Sequence, residues 1–315
     1  MRRLVVLVLG ILAFAGASRF AFADDTLKVA VPQKGAWDAG IAELGERGGI
    51  FKKHGLDLDI LYVTAGPESI QGMIAGSIDI AVASGVSAAL GTYAKGAPIR
   101  IFSNEITGAP DLYWFVPADS PIKTIQDMNG KTVAFSAVGS SSHGSLLALI
   151  AQYQLTAKPT QTGNIAATLT QTMTGQVDVG FGAAPFGLDK VESGQTRVIA
   201  TGNDVAALKT RSVRVNLTSA ATLASKHDAI VRFMQGYKET VDWMYSSPDA
   251  LKIYGDYSGL PPNIVQRVLQ LVPKQALQTD KVMGLDDIMA DAVANKFLAA
   301  PLTPDQIKEL VQIQK

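Results

Sequence analysis

Residues 74–80 (IAGSIDI) and residues 173–179 (MTGQVDV) repeat one pattern, 99 positions apart. In each copy a glycine follows the end of a predicted helix, and an aspartate stands at the start of a predicted strand. The runs LKVAV (27–31) and KTVAF (131–135) begin the two series upstream. Helix–glycine–strand units are common enough for such a match to arise by chance. Two similar α/β lobes are nevertheless the interpretation that the repeat favours.

Strands and helices alternate around the first copy of the repeat. The pattern predicts strands at 27–31, 56–63, 78–82 and 99–102, with helices at about 38–53 and 67–75. Alternation of this kind is typical of βαβ units and mainly parallel sheets. We therefore expect an α/β fold.

The alternation of strands and helices is interrupted near residue 110, where a strand predicted at 112–116 has no helix before it. Such a strand is expected of a connector that leaves the first sheet. A new series then begins at 131–135, with a helix predicted at 141–154 and a strand at 177–181. Beyond it the chain is predicted to be mostly helical, with helices at 223–245, 248–254, 263–271 and 286–298.

These elements predict a division of the chain into two lobes. Residues 24–109 would form the first part of lobe 1, residues 110–213 would form lobe 2, and residues 214–315 would return to lobe 1 and add C-terminal helices. The crossings near 108–112 and 212–217 would then form a hinge of two strands.

The first 23 residues have the pattern of a secretory signal peptide. Arg2 and Arg3 precede an apolar run from Leu4 to Ala17, and Ala21 and Ala23 are the small residues expected before a cleavage site. We predict cleavage after Ala23 and a periplasmic location; an uncleaved anchor is the alternative. No cysteine is present for a lipid anchor.

Composition excludes several classes of protein. The chain has 315 residues, 28 basic against 28 acidic side chains and 47% hydrophobic residues, which argues against disorder. The absence of cysteine excludes disulfides and thiolate metal sites. The charge balance gives no indication of a nucleic-acid surface.

Motifs for catalysis or cofactors are scarce. The three histidines are isolated, and neither a Walker A motif nor a G-x-S-x-G elbow occurs. Gly180-Phe181-Gly182 fails the dinucleotide fingerprint because Pro185 stands where its third glycine belongs. We therefore expect no metal and no cofactor.

The segment SAVGSSSHG (136–144) is the most informative candidate site, because it joins a predicted strand to a predicted helix. Unpaired N–H groups and the helix dipole favour an anion there, and serine hydroxyls add donors. Gly139, Ser140, Ser141, Ser142 and His143 are the candidate ligand contacts. The alternative is that one serine caps the helix and the others are solvated. A satisfied or surface histidine is the more usual role for His143.

Further candidates follow the other predicted strands, where open α/β sheets bind ligands. They are Trp37, Thr64, Gly66, Ser84, Gly85, Ala183 and Pro185. Trp37 either covers a ligand or packs the first helix. Arg211 and Arg214 lie near the second predicted crossing, and either could pair with a carboxylate; we select Arg214 as the candidate contact.

Several motifs together resemble the solute-binding subunits of sulfonate, taurine and nitrate ABC importers. The matching stretches are GIFKKHGLDL (49–58), GPE (66–68), IAGSIDIA (74–81), SPIKTIQDMNGKTVA (120–134), GSSSH (139–143) and GQVD (175–178). The resemblance covers essentially the whole chain after the signal peptide. It implies a type II periplasmic binding fold, with ligand trapped between two lobes, and it implies that Ser140, Ser141 and Ser142 contact an anion.

One departure from the family pattern concerns the second lobe. Aliphatic sulfonate binders of the family typically carry Trp-Asp-Pro-Tyr where this chain has Ala183-Ala184-Pro185-Phe186. The change is expected to enlarge and neutralise that wall, which favours a bulkier or aromatic anion. A related branch makes a thiamin pyrimidine precursor with a cysteine-rich motif, which this cysteine-free chain lacks.

We therefore expect a monomeric periplasmic protein that binds a small organic anion and delivers it to an inner-membrane ABC permease. Hinge closure would be the mechanism, with no cofactor and no nucleic acid involved. The alternatives are a periplasmic lyase or dehydratase on the same fold, with an acid–base pair such as Glu68 and His143, and a subunit that presents its ligand to a sensor.

Overall fold

The computed structural model describes residues 25–314. The predicted signal peptide, residues 1–23, lies outside the described residues. Within 25–314, no helix is both long and apolar enough to cross a membrane.

A five-stranded sheet forms lobe 1, in the order β2-β1-β3-β10-β4, where β10 (Ser212–Ser219) is supplied by the chain after lobe 2. Strand β1 is parallel to both of its neighbours, β2 and β3, whereas β10 runs antiparallel to both of its neighbours. Strand β1 buries Leu27, Val29 and Val31 on one face, which explains its alternating sequence. The elements up to the first crossing are β1 (Asp25–Pro32), α1 (Ile41–Arg47), α2 (Ile50–Lys53), β2 (Leu56–Val63), α3 (Gly66–Ile74), β3 (Ile80–Gly85), α4 (Val86–Ala94) and β4 (Ile99–Thr107).

Lobe 2 has the same strand arrangement in two hydrogen-bonded pieces, β8-β5-β9 and β6-β7. Backbone hydrogen bonds between Ala134 and Val179 and between Val179 and Thr132 join the pieces, so the order is β7-β6-β8-β5-β9. Its elements are β5 (Leu112–Pro117), β6 (Thr132–Phe135), α5 (Ser141–Tyr153), β7 (Lys158–Gln161), α6 (Ile165–Met173), β8 (Gly180–Ala183), α7 (Leu188–Glu192) and β9 (Thr196–Thr201).

The sequence repeat has a physical counterpart in the two sheets. The Asp79 carboxylate accepts the backbone N–H of Lys28 in β1 at 2.9 Å, and the Asp178 carboxylate accepts that of Thr132 in β6 at 2.8 Å. In both lobes, therefore, an aspartate that follows a helix is hydrogen-bonded to the first strand of that lobe's repeated series, β1 or β6. The α/β fold of two similar lobes is confirmed.

Two crossings of the chain join the lobes. The first spans residues 108–111, and the second spans 202–211 as two short 3-10 turns, Gly202–Asp204 and Ala206–Thr210. The second crossing lies before the predicted 212–217, because β10 (Ser212–Ser219) already belongs to the first sheet. The boundary predicted after residue 213 therefore falls inside a strand.

The remaining chain is helical and covers lobe 1. It comprises α8 (Ala220–Ser225), α9 (His227–Ser246), α10 (Pro248–Ser258), α11 (Pro262–Leu271), α12 (Leu285–Ala294) and α13 (Pro304–Leu310). Phe233 of α9 stacks on Phe51 with a centroid distance of 5.2 Å. After α13, the backbone of Gln312 donates to Ile101 of β4, which returns the chain end to the first sheet.

Two predicted helices are each interrupted in the structure. The helix predicted at 38–53 is divided into α1 and α2 because Gly49 adopts a left-handed conformation with φ 67°. The helix predicted at 223–245 is divided at Lys226, whose φ of −121° is not helical. Apolar periodicity passes through both breaks, so it did not reveal them.

We expect Asp178→Ala to lower the free energy of unfolding by about 1 kcal/mol at pH 7, because Thr132 loses its acceptor. Burial raises the pKa of Asp178, but the Thr132 hydrogen bonds outweigh burial, so its pKa lies below the ordinary value. A lowered folded-state pKa stabilises the protein above the unfolded-state pKa, and this stabilisation is lost as the pH falls.

Urea denaturation between pH 7 and pH 3 measures the difference in the free energy of unfolding between wild type and variant. We expect this gap in free energy to narrow as the pH falls below about 4, near the ordinary pKa of an aspartate. Asp119→Ala is the control, because Asp119 is exposed and bonds to no other side chain or backbone group in 25–314. A gap of constant size across this pH range would contradict the assigned role.

Candidate ligand-binding site

A cleft lies between the lobes, where the carboxyl ends of β1, β2, β3 and β8 converge beside the first crossing. Its cavity has a volume of about 60 Å³. The lining residues are Pro32, Gln33, Ala36, Asp38, Ala39, Ala65, Gly66, Ala83, Gly85, Asp111, Leu112, Ser136, Ser140, Ser141, Ser142, Ile165, Phe181, Ala183, Phe186 and Arg214.

Arg214 is the centre of a buried ion network in this cleft. Its Nη1 donates to Asp38 at 2.6 Å, its Nη2 donates to Asp111 at 2.7 Å, and its Nε donates to Ser141 Oγ at 2.9 Å. All three charged side chains are at least 94% buried. Two carboxylates therefore neutralise the one cationic side chain that lines the described cleft.

Asp111 has an oxygen that the network leaves unused. Its Oδ1 is buried and has no hydrogen-bond partner among the described residues, whereas its Oδ2 binds Arg214. Burial raises the pKa of Asp111, although the Arg214 charge opposes this shift. An unpartnered carboxylate oxygen in a cleft is an acceptor for a hydrogen-bond donor or a cation.

Glu105 is a third carboxyl group beside the network. It is fully buried, no donor group reaches its oxygens within 25–314, and the Asp38 carboxylate lies beside it. Burial, together with the charge of Asp38, raises the pKa of Glu105 well above its ordinary value. Glu105 is therefore the group in this cluster that keeps its proton when the pH rises through the usual range of glutamates.

The serines before α5 form a network of their own. Ser140 is the N-cap of α5, because its Oγ accepts the backbone N–H of His143 at 3.2 Å. Ser142 Oγ accepts the backbone N–H of Ser136 and bonds both the Ser136 and the Ser140 hydroxyls. Ser141 instead binds Arg214 across the cleft. The capping role that the sequence left open thus belongs to Ser140.

The two lobes touch beside the cleft through backbone. A Cβ atom added at Gly85 of lobe 1 would lie 2.7 Å from the carbonyl oxygen of Gly139 in lobe 2. Gly139 has φ 83°, a conformation that side chains rarely adopt. The Phe186 ring also reaches lobe 1 and lies 3.6 Å from the Cβ position of Gly35. The lobes are therefore closed on each other in this structure.

The structure places seven of the predicted site residues in the cleft wall. They are Gly66, Gly85, Ser140, Ser141, Ser142, Ala183 and Arg214. Of the two arginines, Arg214 lines the cleft, and Arg211 pairs instead with Asp291 at 2.6 Å.

Six other predicted residues are not in the lining of the cleft. Trp37 is fully buried, donates through Nε1 to Tyr245 at 2.8 Å and packs edge-on against Tyr254, so it belongs to the core of lobe 1. The His143 ring stacks on Phe135 with a centroid distance of 4.1 Å, and burial lowers its pKa.

The remaining four lie close to the cleft wall but outside it. Thr64 is exposed, and its N–H binds Glu68. Ser84 is buried beside β10 and has no partner for its Oγ among residues 25–314. Gly139 forms the contact between the lobes, and Pro185 follows a cis peptide bond in the turn after β8. Neither Glu68 nor His143 lines the cleft, so the proposed acid–base pair is not assembled there.

A family model described as NMT1/THI5-like matches residues 43–251, which is more than half of the chain. The protein belongs to the NMT1/THI5-like family. A search of curated proteins found no significantly similar sequence.

Solved structures similar to this member of the NMT1/THI5-like family include three binding proteins, of which the second and third described here are periplasmic. The alkanesulfonate-binding protein SsuA from Xanthomonas axonopodis pv. citri, bound to MOPS, has a TM-score of 0.75 at 22% identity, over 89% of this chain and 95% of that chain. The aliphatic sulphonate-binding SsuA from Escherichia coli has a TM-score of 0.72 at 20% identity, over 92% of both chains. The nitrate-binding protein NrtA from Synechocystis PCC 6803 has a TM-score of 0.72 at 12% identity, over 91% and 86%. These likenesses confirm the type II periplasmic binding fold.

Within this fold, the wall after β8 is uncharged, because it consists of Ala183, Ala184, Pro185 and Phe186. In the closed arrangement the Phe186 ring reaches Gly35, and the cavity is about 60 Å³. Tyr113 fixes this turn by donating its hydroxyl to the Phe186 carbonyl. The acidic groups come from elsewhere, namely Asp38 and Asp111.

Sequence reasoning missed Asp38, Asp111 and Phe186 as cleft residues. Once Arg214 is known to be buried at a crossing, carboxylates are expected nearby, but the sequence does not show that burial. Asp38 follows the end of β1 by six positions, and Asp111 lies within the first crossing. Phe186 stands in the segment already compared with the family pattern.

We expect Glu105→Gln to stabilise the protein at pH 8 and to change stability less at pH 5. A raised folded-state pKa means that stability is greatest below the unfolded-state pKa and falls as the pH rises. Glutamine has the shape of the protonated acid and does not titrate, so the variant escapes this loss.

Urea unfolding from pH 5 to pH 8 tests this expectation. Asp59→Asn is the control, because Asp59 is exposed on β2. An advantage of Glu105→Gln that stays constant or shrinks with rising pH would contradict the protonated state of Glu105.

Proposed function

We propose that this protein is the solute-binding subunit of an ABC importer, located in the periplasm, and that it captures a small organic acid between its lobes. The observation that carries the proposal is the cleft built by Arg214, Ser141 and the crossing residue Asp111, which brings both lobes and the hinge to one point. A ligand held there contacts both lobes and so favours the closed state.

The charges of the cleft narrow the class of ligand. Arg214 is already matched by Asp38 and Asp111, and Asp111 Oδ1 still lacks a donor. A simple anion would face two carboxylates without a free cation. An acid that also carries an amino or other N–H group meets both requirements, because its anionic end can face the first turn of α5 and its donor can face Asp111.

One of the similar structures supports this class of ligand. The Xanthomonas protein is bound to MOPS, a sulfonate whose other end is a morpholine amine. A molecule of that kind combines an acidic end with a basic nitrogen, which is the combination proposed for this cleft. Identities of 22% and below support the fold and leave the ligand to experiment.

Matched ligand pairs test the proposed class. Taurine against ethanesulfonate, and glycine against acetate, differ by one amino group and are small enough for the closed cleft. We expect calorimetry to show binding near one to one for an amino member of a pair and at least tenfold weaker binding for its partner, or about 1.4 kcal/mol. Equal or weaker binding of the amino members would contradict the donor requirement.

Asp111→Asn tests the residue assigned to that preference. We expect the variant to reduce the discrimination within a pair, because the amide removes the negative charge and half of the acceptors. Asp189→Asn is the matched control, because Asp189 is exposed on α7, outside the cleft. Unaltered discrimination in Asp111→Asn would remove Asp111 from the site.

Hinge closure is tested by a separate experiment. Small-angle X-ray scattering of the ligand-free and saturated protein is expected to show a smaller radius of gyration on binding. Unchanged dimensions at saturation would contradict closure. Mass spectrometry of the incubated ligand distinguishes the enzyme alternative, because a lyase or dehydratase would consume its ligand.

A further inference from the structure

A second and larger cavity, here termed the hinge cavity, lies on the other side of the first turn of α5. It is bounded by α4, α5, α12 and the second crossing, and it shares Ser140 and Ser141 with the cleft. Its volume is about 370 Å³, against about 60 Å³ for the cleft. Cavities of this size are within the range that accommodates small molecules.

The wall of the hinge cavity is predominantly apolar. Leu147 and Ala148 of α5 face Val205 and Leu208 of the second crossing, and Ile288 of α12 completes this surface. Val205, Leu208 and Ile288 are buried. Such a wall binds an apolar body by removing both surfaces from water.

The polar side chains of this wall are mostly serines, and its two charged side chains, Arg211 and Asp291, are paired with each other. Ser145 borders the cavity; it is 1% exposed, and its Oγ has no hydrogen-bond partner in the described part of the chain. Arg211 at the rim pairs with Asp291 at 2.6 Å and with Asp287 at 3.3 Å. The rim therefore offers no unmatched charge to an ion, whereas Ser145 offers one hydroxyl.

We propose that the hinge cavity is a second binding site, for a neutral molecule of about two fused rings that carries one hydrogen-bonding group. The size follows from volume, because an apolar cavity of about 150 Å³ holds one benzene ring. The neutral character follows from the matched rim, and the hydrogen-bonding group follows from Ser145. This site goes beyond the proposed import function, which concerns the acidic cleft.

The probe for this site is 2-naphthol, which has two fused rings and one hydroxyl. We expect isothermal calorimetry to show one binding event per wild-type chain. Ala148→Phe places a ring inside the cavity and should weaken binding at least tenfold. Ser145→Ala removes the hydroxyl and should weaken it about two- to tenfold.

Ala166→Phe is the matched control, because Ala166 is exposed on α6 and lines neither cavity. We expect it to bind 2-naphthol as wild type does. If Ala148→Phe fails to fold by circular dichroism, Ala151→Trp replaces it, since Ala151 lines the same cavity from an exposed position. Wild-type affinity in a folded cavity-filling variant, or no binding to wild type up to the solubility of 2-naphthol, would overturn the proposal.

Discussion

The buried guanidinium of Arg214 is the interaction on which the arrangement of the two lobes depends. Its partners come from separate parts of the chain: Asp38 follows the first strand, Asp111 lies in the first crossing, and Ser141 begins α5 of the second lobe. Removing one partner of a buried ion pair typically costs about 3–5 kcal/mol, because a charge is left uncompensated. The network therefore fixes the positions of three segments relative to β10, and the cleft forms where they meet.

The two lobes follow one construction, in which the fourth strand of each sheet follows directly on a crossing that comes from the other lobe. Strand β10 lies antiparallel between β3 and β4, and β5 lies antiparallel between β8 and β9. Each crossing strand thus belongs to the hinge at one end and to the core of a sheet at the other. Because each of these strands is hydrogen-bonded on both sides, it is held firmly in its sheet at the end away from the hinge.

Local sequence patterns predicted most of the fold, whereas the site depends on contacts between residues that are far apart in the sequence. The repeated Gly-x-x-Asp pattern predicted two lobes because helix end, turn and strand start are local features. The burial of Arg214 depends on carboxylates 176 and 103 positions away, which no local pattern reveals. Trp37 was likewise ambiguous, because its partner Tyr245 lies 208 positions away. Ser140 was identifiable as a cap candidate, whereas the bond of Ser141 to Arg214 needed the structure.

The contact between Gly85 and Gly139 affects how another protein would recognise the closed molecule. Because main chain meets main chain there, the lobes cannot approach each other more closely, whatever lies between them. All ligands that fit within the closed cleft would then produce the same closed outline. A docking partner that recognises the spacing of the two lobes would bind whenever the cleft is occupied. The specificity for the ligand would be determined by the residues inside the cleft.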